Sequence, residues 1–305
     1  MDALLQDIVR QCRPYGALGK VANYIPELSK ADPDKLGLCL IDSEGSMHCA
    51  GDWQDYFTMQ SVIKTLILLL ALMDSGIGRV RSLVGVEATG KPFDTFNYSD
   101  QALTGANINP MVNTGAIALC TLIHGETYGE KFRRLLELTR YLSGDDTLEV
   151  DEAVYRSEKA TGNKNRALAY MLKAYGMVSD DADEILECYF RACSIKANCA
   201  ALARIALVFA HHGRDVTTGE QRFAPIYARY VNATLMTCGM YDGSGEFALR
   251  GGFPAKSGVG GGIMGVVPGR MGIGVFAPAL DKKGNSLAGV NALELLSEAL
   301  ELSVF

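Results

Sequence analysis

Ser61 and Lys64 stand three residues apart in Ser61-Val62-Ile63-Lys64, at the head of a strongly apolar run. On a helix this i, i+3 spacing puts both side chains on one face, where an amine can take the proton of a hydroxyl. A serine activated in this way attacks a carbonyl and needs no histidine. Desolvation of Lys64 on an apolar helix, together with the positive end of the helix dipole, disfavours the ammonium form and suits the lysine to act as base. The plainer alternative is a serine in a first helical turn and a lysine that snorkels to the surface.

Lys256-Ser257-Gly258 adds a second part to an acyl-transfer site. An analogous Lys-Thr/Ser-Gly strand borders the nucleophile in serine β-lactamases and penicillin-binding proteins. Backbone N–H groups along Ser257 to Val259, joined by the amide of Ser61, are candidates to face a developing oxyanion, and glycines permit the close approach. The competing reading is an ordinary glycine-rich hairpin. Gly260-Gly261-Gly262-Ile263-Met264-Gly265 fits G-x-G-x-x-G but runs into a Val-Val-Pro-Gly turn instead of a helix, so a dinucleotide site is rejected. No metal-ligand spacing and no Walker sequence occurs, and neither metal nor cofactor is expected. His124 and His212 each precede a glycine at an expected helix end, where they read as partners of the helix dipole.

Ser157 to Arg166 is polar where its flanks are apolar. Glu158 is either a solvated helix residue or a carboxylate that reads a substrate ammonium, with Asn165 supplying amide hydrogen bonds. The residues alone do not separate the two.

These side chains must be positioned by a chain of 305 residues with 48% apolar and 21% charged residues, enough for one large core or two subdomains sharing an interface. A net charge of −6 without a long basic run argues against a nucleic-acid partner and favours a small substrate. The first ten residues place Leu4, Leu5, Ile8 and Val9 at helical spacing between charges, which reads as a surface helix and not a secretory signal. Leu66 to Met73, the longest apolar stretch, is far shorter than the roughly 20 residues a bilayer requires, so no membrane span is expected. The 8 cysteines contain no Cys-x-x-Cys pair and are expected as buried, reduced thiols in a cytoplasmic protein.

Leu36 to Ile41 and Met47 to Ala50 flank a turn-forming Asp42-Ser43-Glu44-Gly45 and predict a hairpin. Ala255 to Val259, Gly262 to Val267 and Met271 to Ala277 predict further strands, with a helix over Asn291 to Leu302 packed on them. Between these ends, helices are expected over Gln60 to Asp74, Asn113 to His124, Glu130 to Leu142, Glu152 to Tyr175, Asp181 to Cys193 and Cys199 to His211. Strands at both ends and helices between them imply an α+β fold, an antiparallel sheet built from both chain ends with an inserted helical subdomain.

The chain resembles the serine-dependent glutaminases, a family similar in fold to serine β-lactamases and penicillin-binding proteins. The likeness runs nearly end to end through Asn23-Tyr24-Ile25-Pro26-Glu27-Leu28, Ala31-Asp32-Pro33, Phe57-Thr58-Met59-Gln60-Ser61, Asn109-Pro110-Met111-Val112-Asn113-Thr114-Gly115-Ala116, Ser157 to Arg166, Gly239-Met240-Tyr241-Asp242-Gly243-Ser244-Gly245-Glu246-Phe247 and Ala255-Lys256-Ser257-Gly258-Val259-Gly260-Gly261-Gly262. It implies one catalytic domain over 1–305, its α/β part at about 1–60 and 236–305 and its helical part at about 61–235. It also implies hydrolysis of the L-glutamine side-chain amide to L-glutamate and ammonia through a seryl acyl-enzyme.

The resemblance further implies a role for each matched position. Ser61 is the nucleophile, Lys64 the base, and Tyr241 a proton shuttle whose pKa neighbouring lysines would lower. The amides of Ser61 and Val259 form the oxyanion hole, and Tyr24 covers the cleft mouth and contacts substrate. Asn113, Glu158, Asn165 and Tyr189 hold the α-ammonium and α-carboxylate. Read on their own, Tyr24 and Tyr189 are half-buried aromatics and Asn113 is a helix N-cap. A dimer or tetramer is implied as well. Two departures stand out: Val62-Ile63 where the family also uses a small or polar residue, and Phe93-Asp94-Thr95 where Phe-Asn-Ser is frequent. The alternatives to a glutaminase are a β-lactam- or peptide-processing serine acylase and a non-catalytic amino-acid-binding protein.

Overall fold

The computed structural model describes residues 1–88, 90 and 108–305, so Phe93-Asp94-Thr95 lies outside the described residues. Helix α1 (Asp2–Cys12) buries Leu5, Ile8, Val9 and Cys12, the face set by its helical spacing. A short β1 (Lys20–Val21) leads to the hairpin β2 (Gly37–Asp42) and β3 (Met47–Gly51), then β4 (Phe57–Thr58) and a 3-10 turn, Gln60–Ile63, that runs into α2 (Lys64–Leu83). Six helices make the middle of the chain: α3 (Asn113–Leu119), α4 (Tyr128–Ser143), α5 (Glu152–Thr161), α6 (Asn163–Ala174), α7 (Ala182–Cys193) and, after β5 (Lys196–Ala197), α8 (Cys199–Ala210). Helices α9 (Pro225–Cys238) and α10 (Ser244–Arg250) return the chain to strands β6 (Ala255–Ser257), β7 (Gly262–Val267), β8 (Met271–Phe276) and β9 (Ala279–Leu280), closed by α11 (Leu287–Leu300).

Strands from both ends join in one five-stranded antiparallel sheet of order β3-β2-β8-β7-β6. The alternation in β8 explains how helices cover both faces. Met271, Ile273 and Val275 point into the core shared with α1 and α11, while Gly272 and Gly274 face α8. A Cβ on Gly272 would lie 2.1 Å from the Ala203 carbonyl oxygen, and one on Gly274 2.0 Å from that of Cys199. The two glycines let the helix backbone rest directly on the sheet. The result is the expected α+β layout.

Helix α2 is the buried spine of the helical part. With its preceding turn it spans Gln60–Leu83 and is, by length and composition, apolar enough to cross a membrane, longer than the apolar stretch expected from the sequence. Its residues from Ser61 to Leu72 are buried inside the protein, and Gly76 breaks its helical backbone at φ 75°. An all-round apolar helix surrounded by protein is a core helix.

Two expectations need correction. The single helix expected over Glu152 to Tyr175 is two, broken at Gly162, where a Cβ would come 2.5 Å from Phe190 Cζ. Cys39 and Cys49, expected as free thiols, sit directly opposite each other in β2 and β3 with Cα atoms 4.2 Å apart and their sulfurs joined; register places them together. The other cysteines are free and buried.

Candidate active site

The turn that carries Ser61 is wedged against the sheet edge. Ser61 lies in the 3-10 turn and is 7% exposed. Edge strand β6 and its turn into β7 press on it closely enough to require glycine. A Cβ on Gly258 would stand 2.5 Å from the Met59 carbonyl oxygen and 3.4 Å from the Ser61 nitrogen, and one on Gly260 2.5 Å from the Thr58 carbonyl oxygen. Of the four amides expected to face an oxyanion, two are occupied: Ser257 donates to the Gly239 carbonyl over 3.1 Å and Gly258 to that of Gly262 over 2.9 Å. The Val259 amide makes no backbone hydrogen bond among the described residues, and Ser61, second in its turn, has no acceptor within it.

Lys64 is fully buried. Its Nζ donates to the Met111 carbonyl over 3.2 Å and to Asn113 Oδ1 over 2.6 Å, and Asn113 Nδ2 donates to Asn165 Oδ1 over 2.8 Å. Asn113 is not an N-cap: Val112 holds that position at the start of α3. A chain of amides therefore runs from the lysine of α2 to α6.

Tyr241 opens a 3-10 turn in the left-handed region, at φ 53°. Its hydroxyl is sealed from solvent and interacts with Ser61. Burial pushes the phenol pKa up, and Ser61 only partly offsets this. The net shift is thus upward, with burial outweighing the lowering that the resemblance implies for neighbouring lysines. Lys256 Nζ does sit 4.4 Å from the centroid of the Tyr241 ring, but burial and the charge of Lys64 push Lys256 itself well below the usual lysine range. It donates to the carbonyls of Gly239, over 3.0 Å, and Ser257, over 2.6 Å, tying the backbone before Tyr241 to β6. The Ser257 hydroxyl is buried and makes no hydrogen bond among the described residues.

Glu158 is no solvated helix residue. It is 5% exposed near the end of α5. Burial raises its carboxyl to about 8, against the opposing pull of a Gln60 hydrogen bond and the Lys64 charge. The helix breaks at Gly162, and Glu158 before the break and Asn165 after it line the same cavity.

That cavity encloses about 630 Å³. Its wall includes Tyr24, Asn113, Glu158, Asn165, Tyr241 and Val259, together with Lys20, Lys164, Lys282 and Lys283. Tyr24 is 54% exposed. Ser61 and Lys64 lie behind this wall, reached through Tyr241 and Asn113. Tyr189 is not among the wall residues: it is buried on α7, close to Glu158 and Cys193. Lys256, Ser257 and Gly258 also lie outside the wall. The sequence alone assigns Gln60 no role, yet its buried side chain bridges Thr58 and Glu158; its place directly before Ser61 is the one available signal.

The family model described as Glutaminase matches residues 19–305. A glutaminase of Clostridium tetani is 47% identical over 305 residues, covering 100% of both chains. One of Clostridioides difficile is also 47% identical, covering 100% of this chain and 98% of that one. Among solved structures, a Bacillus subtilis glutaminase in covalent complex with 5-oxo-L-norleucine, formed by reaction with 6-diazo-5-oxo-L-norleucine, superposes with a TM-score of 0.91 at 38% identity, covering 100% of this chain and 99% of that chain. A likeness spread over the whole length, at this identity, is one of family and not of fold alone: the chain belongs to the glutaminase family.

Proposed function

We propose that this protein hydrolyses the side-chain amide of L-glutamine to L-glutamate and ammonia through a seryl acyl-enzyme. Ser61 Oγ bonds to the amide carbon while its proton passes to Lys64, and the oxyanion is met by the amides of Ser61 and Val259. Collapse breaks the C–N bond, and ammonia leaves with a proton relayed through Tyr241. Water then attacks the acyl-enzyme, gives up a proton by the same route and releases glutamate. Glu158 receives the α-ammonium, and Asn113 and Asn165 with Tyr24 serve the α-carboxylate side. Tyr189 backs Glu158 from α7. A site that pairs both ends of a zwitterion rejects amides lacking them.

The observation that carries this reading is the run Lys64–Asn113–Asn165, which couples the base to residues lining the cavity. A Ser-x-x-Lys helix set against a Lys-Ser-Gly edge strand also supports kinship in fold with serine β-lactamases and penicillin-binding proteins. The whole chain acts as one catalytic domain, in the cytoplasm and as a homo-oligomer; the exposed Leu249, Val304 and Phe305 favour the oligomer. An ammonia assay comparing L-glutamine, L-asparagine and D-glutamine tests the reading. Release from L-glutamine alone is expected. No release from L-glutamine, or labelling of Ser61 by a fluorescent penicillin with turnover, refutes it.

A further inference from the structure

Gln60 has two properties that the reaction above leaves unused. Its backbone lies at φ 47°, where L side chains are strained, and it turns the chain from β4 into the helix of the nucleophile. Its side chain is buried, and the amide nitrogen lies 3.3 Å from Thr58 Oγ1 and 3.5 Å from Glu158 Oε2. An amide carries two hydrogens, one for each acceptor. The residue that aims Ser61 is thus also the one that reaches Glu158.

We propose that Gln60 is a positioning residue that ties the Ser61 turn to the carboxylate receiving the substrate's α-ammonium, so that one side chain sets the span from that carboxylate to the nucleophile. This rests on the reading of Glu158 as the ammonium acceptor. The groups facing Glu158 are Lys64 from α2, Tyr189 and Cys193 from α7, and Gln60 itself. Burial drives Tyr189 and Cys193 well above their usual ranges, so both stay uncharged through neutral pH. The Gln60 amide is then the neutral donor that favours the ionised carboxylate beside Lys64.

Two variants test this. Gln60→Met keeps the length and removes the donor; Gln60→Gly removes the side chain and relieves the left-handed strain, so it folds at least as well. KM and kcat for L-glutamine are measured from acidic to alkaline pH, beside Glu158→Gln. In both Gln60 variants KM is expected to rise about tenfold at neutral pH and the pH at which it levels off to move up by about one unit. The fall in kcat is smaller than the rise in KM. Wild-type KM–pH curves in both Gln60 variants overturn the proposal. If Glu158→Gln leaves KM unchanged, the ammonium reading itself fails; if it raises KM while the Gln60 variants match the wild type, the role of Gln60 alone fails.

Discussion

Lys64 donates from its buried Nζ to Asn113 Oδ1 over 2.6 Å, and the same Asn113 passes a hydrogen bond on to Asn165 over 2.8 Å. A lysine this deep needs acceptors, because an unsatisfied buried donor costs about 1–3 kcal/mol. The structure meets that need with groups that also border the cavity. Lys64 and the cavity wall are one hydrogen-bonded unit.

Asn113→Ala breaks that unit at its centre. It is expected to lower kcat about a hundredfold, by loosening Lys64 relative to Ser61, and to cost about 1–3 kcal/mol of stability. Steady-state kinetics beside denaturant unfolding checks both. Wild-type kcat in a folded Asn113→Ala would show that Lys64 does not depend on this partner.

The Glu158 carboxyl sets a pH dependence for both binding and stability. With a folded value of about 8, it is protonated in the free protein at neutral pH, so KM for glutamine is expected to fall as pH rises toward 8. An unfolded glutamate ionises near its ordinary value of about 4.3. Between those values the folded chain holds the extra proton, so this residue's contribution to stability declines as pH rises. Glu158→Gln abolishes that decline: its melting temperature at pH 8 should exceed the wild type by roughly 2–6 °C. Its KM should rise by about two orders of magnitude as the paired charge is lost. Melting curves across pH test the first and kinetics the second.

At Gly162 an added methyl would press on Phe190 Cζ at 2.5 Å and on the Glu158 carbonyl oxygen at 2.9 Å. Gly162→Ala is therefore expected to destabilise the protein by about 1–3 kcal/mol. It should also raise KM more than it lowers kcat, since the break it strains places Glu158 and Asn165. Unfolding curves and the split between KM and kcat decide this.

The strands were legible because their glycines and β-branched residues sit between turn signals, and the Ser61/Lys64 pair because its spacing has direct helical meaning. Other features depend on contacts between distant residues. Gly162 reads as a tolerable helix glycine until Phe190 is seen against it. Tyr189, at helical spacing on α7, gives no sign that it is buried close to Glu158 and Cys193. The raised pKa of Tyr241 comes from burial, which no local motif encodes. Helix α9 is obscure in the sequence because Tyr227, Arg229 and Asn232 interrupt the apolar stripe of Ala228, Val231 and Leu235.

The central claim is that Ser61 carries the acyl group. Intact-mass and peptide mapping after treatment with 6-diazo-5-oxo-L-norleucine, the reagent that formed a covalent complex with the Bacillus subtilis relative, tests it most directly. The account predicts one adduct on the peptide bearing Ser61 and none in Ser61→Ala. An adduct on a different residue, or an undiminished adduct in Ser61→Ala, would contradict it.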